Sequence, residues 1–223
     1  MKLSTTALCA LTLAGSCSLA SVANAATITA TAESDRKADV PASCNTSTQR
    51  IDGDFTLQAN PGNPILTCLG DGVDETITWD FDFTGDANLA QFLSDVSSDS
   101  SNLISAIATF TIIPGSPGVI TDGTWTPGIR SIRLNTVPDL PGRGELATIS
   151  IDLLSRTFTP DVLIDVLTGG DAGKIPWGWG DDVIMHSATL ELESRRNVPE
   201  PMALLGLLGV GLVLPAMKRA TAQ

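Results

Sequence analysis

The chain has 223 residues, with 25 acidic and 13 basic side chains, one histidine and a net charge of −12 at neutral pH. This charge argues against nucleic acid as a partner, because neutralising phosphates requires a basic face. A single histidine also excludes histidine-rich metal sites. The acidity belongs to residues 26–197, which carry ten basic and twenty-four acidic side chains and a net charge of −14. Such a segment is typical of a soluble, outward-facing domain.

Residues 1–25 have the features of a secretory signal peptide. Lys2 precedes a short apolar stretch, and Ala23 and Ala25 frame an A-x-A cleavage site. We expect removal of everything up to Ala25, which would export the protein. Lipoprotein processing at Cys17 is the alternative, but Ala14 stands where a large aliphatic residue is expected.

Two cysteines, Cys44 and Cys68, remain after this cleavage. An even pair in an exported protein predicts one disulfide. It would close a loop of about 24 residues and contribute about 3 kcal/mol on the chain-entropy model. A thiolate zinc site would need four ligands, and redox chemistry usually needs C-x-x-C, so we expect a structural bridge.

Residues 26–197 have the length of one domain and show the two-residue period of strands. In the clearest strand Ile77, Trp79, Phe81 and Phe83 alternate with polar residues. Further strands are predicted at 28–31, 55–57, 65–69, 108–113, 129–134, 147–153 and 183–193. The last has a phase slip near His186 that indicates a bulge. Pro-Gly and Asp-Gly dipeptides separate the strands. The sequence thus predicts an all-β fold, a single β-sandwich for which a jelly-roll arrangement is one candidate.

One or two short helices are also expected. Thr159 is a candidate N-cap before Pro160, and Gly169 stands where a left-handed C-cap is wanted. A second helix is predicted over 87–96. The Ser- and Asp-rich segment 95–102 is predicted to be an exposed loop.

Two clusters in this domain suggest ligands. Asp71, Asp74 and Glu75 offer clustered oxygens of the kind Ca²⁺ prefers, although they lack the EF-hand pattern, and a solvated acidic turn explains them as well. Trp177 and Trp179 could present two indoles to a sugar ring. The alternative is that they pack over the end of the sandwich, and the glycines beside them favour a loop.

Signals of catalysis are few. His186 is the single histidine, and no G-x-S-x-G surrounds a serine. A pair of carboxylates could hydrolyse glycosides, but among so many acidic residues a suitable pair arises by chance. We expect no catalytic residue and no cofactor apart from the calcium candidate.

The C-terminal segment has three parts in order. Val198, Pro199, Glu200 and Pro201 precede an apolar run over 202–217, and the cations Lys218 and Arg219 follow it. A helix of this run would be about 24 Å long against a hydrocarbon core of about 30 Å. The cations favour a membrane-engaging segment, since positive residues stay on the cytoplasmic side. A buried terminal helix would leave the flanking residues unexplained.

Residues 198–219 resemble the PEP-CTERM sorting signal of exported bacterial proteins. The resemblance implies recognition by an exosortase, a membrane-embedded cysteine protease or transpeptidase, with processing near Pro199, Glu200 and Pro201. It also implies transient residence in the inner membrane, then delivery to the outer surface or exopolysaccharide matrix of a Gram-negative bacterium. The sequence thus favours a non-enzymatic surface or biofilm-matrix protein. A carbohydrate-binding module that uses Trp177 and Trp179, with or without calcium, is the alternative, and a hydrolase is a weaker third.

Overall fold

The alternation of apolar and polar side chains that begins at Ile77 belongs to one of ten strands within the residues that the structure describes. The computed structural model describes residues 25–35, 49–59, 69–115, 122–138 and 140–195. The strands are β1 (Ala26–Glu33), β2 (Gln49–Asp52), β3 (Phe55–Ala59), β4 (Glu75–Asp82), β5 (Leu103–Pro114), β6 (Gly123–Thr126), β7 (Arg130–Arg133), β8 (Ala147–Asp152), β9 (Lys174–Asp181) and β10 (Val183–Ser194). The helices are α1 (Leu89–Ser97) and α2 (Pro160–Thr168).

The strands form two antiparallel sheets with the topology of a jelly roll. One sheet has the order β1-β10-β5-β8, and the other has the order β2-β3-β4-β9-β6-β7. If the β2–β3 hairpin is set aside, eight strands remain. Of these, β1 pairs with β10, β4 with β9, β5 with β8 and β6 with β7. This is one long hairpin rolled into two sheets, the arrangement that an eight-stranded jelly roll has. The predicted all-β sandwich is confirmed.

The core lies between the two sheets and is rich in aromatic contacts. The Trp79 ring makes edge-to-face contacts with Phe55 and Phe110 at centroid distances of 5.3 and 6.2 Å. Phe110 also meets Trp179 at 5.1 Å, so the central strands of both sheets share one cluster. Such pairs add about 0.5–1.5 kcal/mol each beyond their buried area.

Strand β10 confirms the predicted bulge. Its register against β5 shifts between Met185 and Ser187, so His186 is the extra residue. The bulge allows Met185 and Ala188 both to face the core, which strict alternation would forbid.

Several local predictions are wrong in detail. Strands β2 and β6 were not expected, and 174–181 is strand β9 rather than a loop. Gly169 ends α2 with φ −81°, in extended rather than left-handed backbone. The segment 95–102 is not an exposed loop throughout, because α1 runs to Ser97 and Asn102 is buried, donating from Nδ2 to the carbonyl of Asp95 at 2.7 Å.

The free edge of β1 is covered by side chains of other segments. Asp86 Oδ2 accepts the N–H of Thr29 at 2.9 Å, and Asn88 Nδ2 donates to the carbonyl of Thr27 at 3.1 Å. Asp54, at the β2–β3 turn, exchanges two hydrogen bonds with the backbone of Glu33. Such capping blocks edge-to-edge pairing with another chain.

Other predictions fall outside the described residues. They concern the signal peptide, the disulfide between Cys44 and Cys68, most of the 65–69 strand and the whole segment 198–219. Within the described ranges, no helix combines the length and apolar character that crossing a membrane requires.

Candidate functional site

Trp177 and Trp179 are core residues. Both face inward from β9 and are 0% exposed. The Trp177 ring stacks on Phe158 with centroids 5.4 Å apart. A sugar cannot reach either indole, so the glycan platform predicted at these two residues is wrong.

The indole nitrogens of both residues are also satisfied inside the sandwich. Trp177 Nε1 donates to Thr124 Oγ1 at 2.5 Å, and that hydroxyl donates in turn to the carbonyl of Gly178 at 2.9 Å. Trp179 Nε1 donates to Asp122 Oδ2 at 3.0 Å. These bonds fix β9 against β6 and the segment before it.

The predicted calcium ligands do not form a cation site. The Glu75 carboxylate is 1% exposed and accepts the N–H groups of Gly70 and Gly72 at 2.8 and 3.1 Å. Asp71 Oδ1 accepts the N–H of Val73 at 3.0 Å, which makes a local turn. No group of three or more His, Cys, Asp or Glu side chains among the described residues is placed to hold a metal ion.

Burial gives Glu75 an unusual charge state. Desolvation raises the pKa of this carboxyl from 4.5 to about 7; the two backbone hydrogen bonds lower it, and the nearby Asp71 and Asp52 raise it further. Desolvation also raises the pKa of Asp71. The turn at 69–75 therefore encloses one buried carboxyl group, that of Glu75, while Asp71 and Asp74 are partly exposed.

His186 is the extra residue of the bulge in β10. Its Nε2 is buried and has no hydrogen-bond partner within the part of the chain that the structure describes. Among the described residues, no hydroxyl lies within hydrogen-bond reach of this nitrogen, so the structure gives no support for a serine-histidine pair here.

Among the described residues of this sheet, Trp125 is the aromatic side chain that is partly exposed. It lies on the outer face of the six-stranded sheet, where β6 pairs Trp125 with Gly178 of β9. A methyl group added at Gly178 would stand 2.6 Å from Cε2 of the indole, and one at Gly180 would stand 3.3 Å from Cη2. The indole therefore runs along β9 over both glycines and is partly exposed to solvent.

The alternation within β9 explains this arrangement. Trp177 and Trp179 fill the core, while Gly178 and Gly180 leave room on the outer face for a ring from the neighbouring strand. The glycines thus mark the position of the exposed indole. The sequence showed this spacing, but the pairing of β6 with β9 was needed to identify Trp125.

One depression lies beside this indole, and a second shares a lining residue with it. One has a volume of about 420 Å³ and is lined by Trp125, Thr126, Gly128, Ile129, Arg130, Ser131 and Thr157. The other has a volume of about 450 Å³, lies against α2, and is lined by Asp80, Ile129, Val162, Asp165, Val166, Gly169, Gly170, Asp171, Lys174 and Pro176. Because both contain Ile129, which is 42% exposed, we treat them as one surface, the Trp125 groove, with a Trp125 arm and an α2 arm.

The lining of the α2 arm combines apolar and acidic residues. Its three carboxylates belong to Asp80, Asp165 and Asp171. Its single cation, Lys174, lies 3.1 Å from the Asp82 carboxylate, whose hydrogen bond and charge raise the pKa of the lysine. The lysine is thereby engaged at the edge of the groove, and the arm presents negative charge to a ligand.

Comparisons of the chain with protein-family models, with curated proteins and with solved structures found no match. The resemblance of the C-terminal segment to a sorting signal therefore stays a prediction.

Proposed function

We propose that this protein is an exported, non-enzymatic β-sandwich displayed at the outer surface or in the exopolysaccharide matrix of a Gram-negative bacterium. An exosortase-type enzyme would process it on the way. The observation that carries the proposal is the order of elements at the C-terminus: a Pro-Glu-Pro motif, an apolar run over 202–217, and then Lys218 and Arg219. The signal-peptide pattern at residues 1–25 supports the same route independently.

The fold suits a domain that stands alone outside the cell. The outer face of the four-stranded sheet is rich in hydroxyl groups, and these pair across strands, as in Thr31 with Thr189 and Thr109 with Ser150, both at 3.0 Å. The capped edge of β1 resists pairing with other chains. A hydrophilic sheet face and a capped β1 edge both favour solubility when the domain is displayed at high local concentration.

The sorting step is tested by replacing Pro199, Glu200 and Pro201 together with alanine in the native host. The expected result is an unprocessed protein retained in the membrane fraction. A charge-preserving variant, Lys218→Arg with Arg219→Lys, is the matched control and should mature normally. Normal maturation and surface location of the alanine variant would contradict the proposal.

A further inference from the structure

We propose that the Trp125 groove binds a glycan that carries free amino groups. This inference deepens the proposed function. It rests on that function only because export to the cell surface or matrix would bring the protein into contact with such a polymer. The glycan would lie across both arms, with a sugar ring against the indole of Trp125 and amino groups at the carboxylates of the α2 arm.

The Trp125 arm has the chemistry that a sugar ring needs. A pyranose has an apolar face that packs on an aromatic ring and a rim of hydroxyl groups that require hydrogen-bond partners. Trp125 supplies the ring, and its position over Gly178 and Gly180 holds that ring in place without side chains beneath it. Around it stand the guanidinium of Arg130 and the hydroxyl of Ser131, which are donors of different kinds. An aromatic ring bordered by polar side chains is the combination that a ligand rich in hydroxyl groups requires.

The α2 arm selects the charge of the ligand. Its lining contains the carboxylates of Asp80, Asp165 and Asp171, while the ammonium of Lys174 is paired with Asp82. An acidic glycan, such as a uronate polymer, would be repelled here. Protonated amino groups would be attracted, and the net charge of −12 for the whole chain increases the attraction at longer range.

The size of the groove agrees with an oligosaccharide. The two arms have volumes of about 420 and 450 Å³, each within the range of about 300–1,000 Å³ typical of ligand pockets. Both are open to solvent and both are lined by Ile129, so a chain that occupied the two arms would cross this residue. A single monosaccharide would leave one arm empty.

The test measures binding of defined oligosaccharides to the purified full chain by calorimetry. The probes are glucosamine oligomers, their fully N-acetylated counterparts and oligouronates of equal length. We expect the glucosamine oligomers to bind most tightly, the acetylated oligomers about tenfold more weakly because they lose the ion pairs, and the oligouronates not at all. Equal affinity for the charged and acetylated oligomers would overturn the assignment of charge, and absence of binding to both would overturn the proposal.

Variants assign the binding to the groove. Trp125→Ala should weaken binding of glucosamine oligomers about tenfold, since an aromatic contact is lost. Gly178→Ala keeps the indole but displaces it, because the new methyl group would stand 2.6 Å from Cε2, and should weaken binding as well. Thr109→Ala, on the outer face of the other sheet, is the control and should bind like the native chain. Native affinity in the Trp125 variant, with the fold verified by circular dichroism, would overturn the proposal.

A charge-matched pair separates groove binding from general attraction to an acidic protein. Asp165→Asn with Asp171→Asn should weaken binding, whereas Glu191→Gln with Glu193→Gln, on the four-stranded sheet, should not. Equal losses in both double variants, or equally tight binding of oligolysine that depends on Trp125, would contradict recognition of an amino glycan. These assays need no host cell, so their failure is distinct from failure of sorting.

Discussion

Replacing Glu75 with glutamine should change how stability depends on pH. The buried carboxyl has a pKa of about 7 in the folded chain against an ordinary value of 4.5, so between these values the folded state binds more protons than the unfolded state. The free energy of unfolding therefore falls as pH rises through this window. The difference between the two pKa values corresponds to about 3 kcal/mol of folding stability. This contribution is present below about pH 4.5 and lost above about pH 7.

Glutamine resembles the protonated carboxyl in shape and has no charge to lose. It offers one acceptor oxygen to the N–H groups of Gly70 and Gly72, so it should cost about 1 kcal/mol at low pH. Above pH 7 the order reverses, and Glu75→Gln should be more stable than the native chain by about 2 kcal/mol.

Urea unfolding followed by tryptophan fluorescence at several pH values measures this crossing. The comparison of the two chains removes the contribution of other groups. Asp82, for example, has a lowered pKa, mainly through its hydrogen bond with Thr84. Its contribution to folding stability is lost only as the pH falls below 3.8, the ordinary pKa of this group. The reasoning would be refuted if the difference in unfolding free energy between the two chains did not change with pH. It would also be refuted if the native chain became more stable relative to the variant as pH rises.

Four further substitutions test the fold. Trp177→Ala should destabilise the protein by about 3–5 kcal/mol in urea unfolding, because the side chain is fully buried; an unchanged midpoint would contradict its core position. Gly53→Ala should cost about 1–3 kcal/mol or more, because φ is +60° and the new methyl group would stand 2.1 Å from a backbone oxygen of β1, whereas Gly128→Ala, with φ +72° and open space around it, should cost only about 1 kcal/mol. Asp86→Ala should uncover the N–H of Thr29, lower stability by about 1 kcal/mol and increase aggregation seen by light scattering; a variant that stays monomeric with native stability would show that the cap is unimportant.

Much of the sandwich could be predicted because local patterns determine its central strands. The alternation in β4 and the phase slip at His186 each depend on neighbouring residues, and both predictions are confirmed. Strand β9 was missed for a physical reason. Glycine is depleted in strands, so Gly178 and Gly180 favoured a loop, yet here they make room for a tryptophan from another strand.

The candidate site could not be predicted, because it depends on contacts between distant residues. Trp125 and Gly178 are 53 positions apart and meet only when β6 pairs with β9. The sequence indicated that tryptophan and glycine were important near residue 178, but it assigned the exposed position to Trp177 and Trp179. The structure shows that the side chains of these two residues point inward from β9 and form part of the core.

The central claim, export followed by processing near the Pro-Glu-Pro motif, is tested most directly by the intact mass of the protein recovered from its native host. The expected mass is that of a chain that begins at Ala26, ends near Pro199 to Pro201 and has lost two hydrogens at Cys44 and Cys68. A full-length mass with both thiols reduced, in protein recovered from the cytosol, would contradict the account.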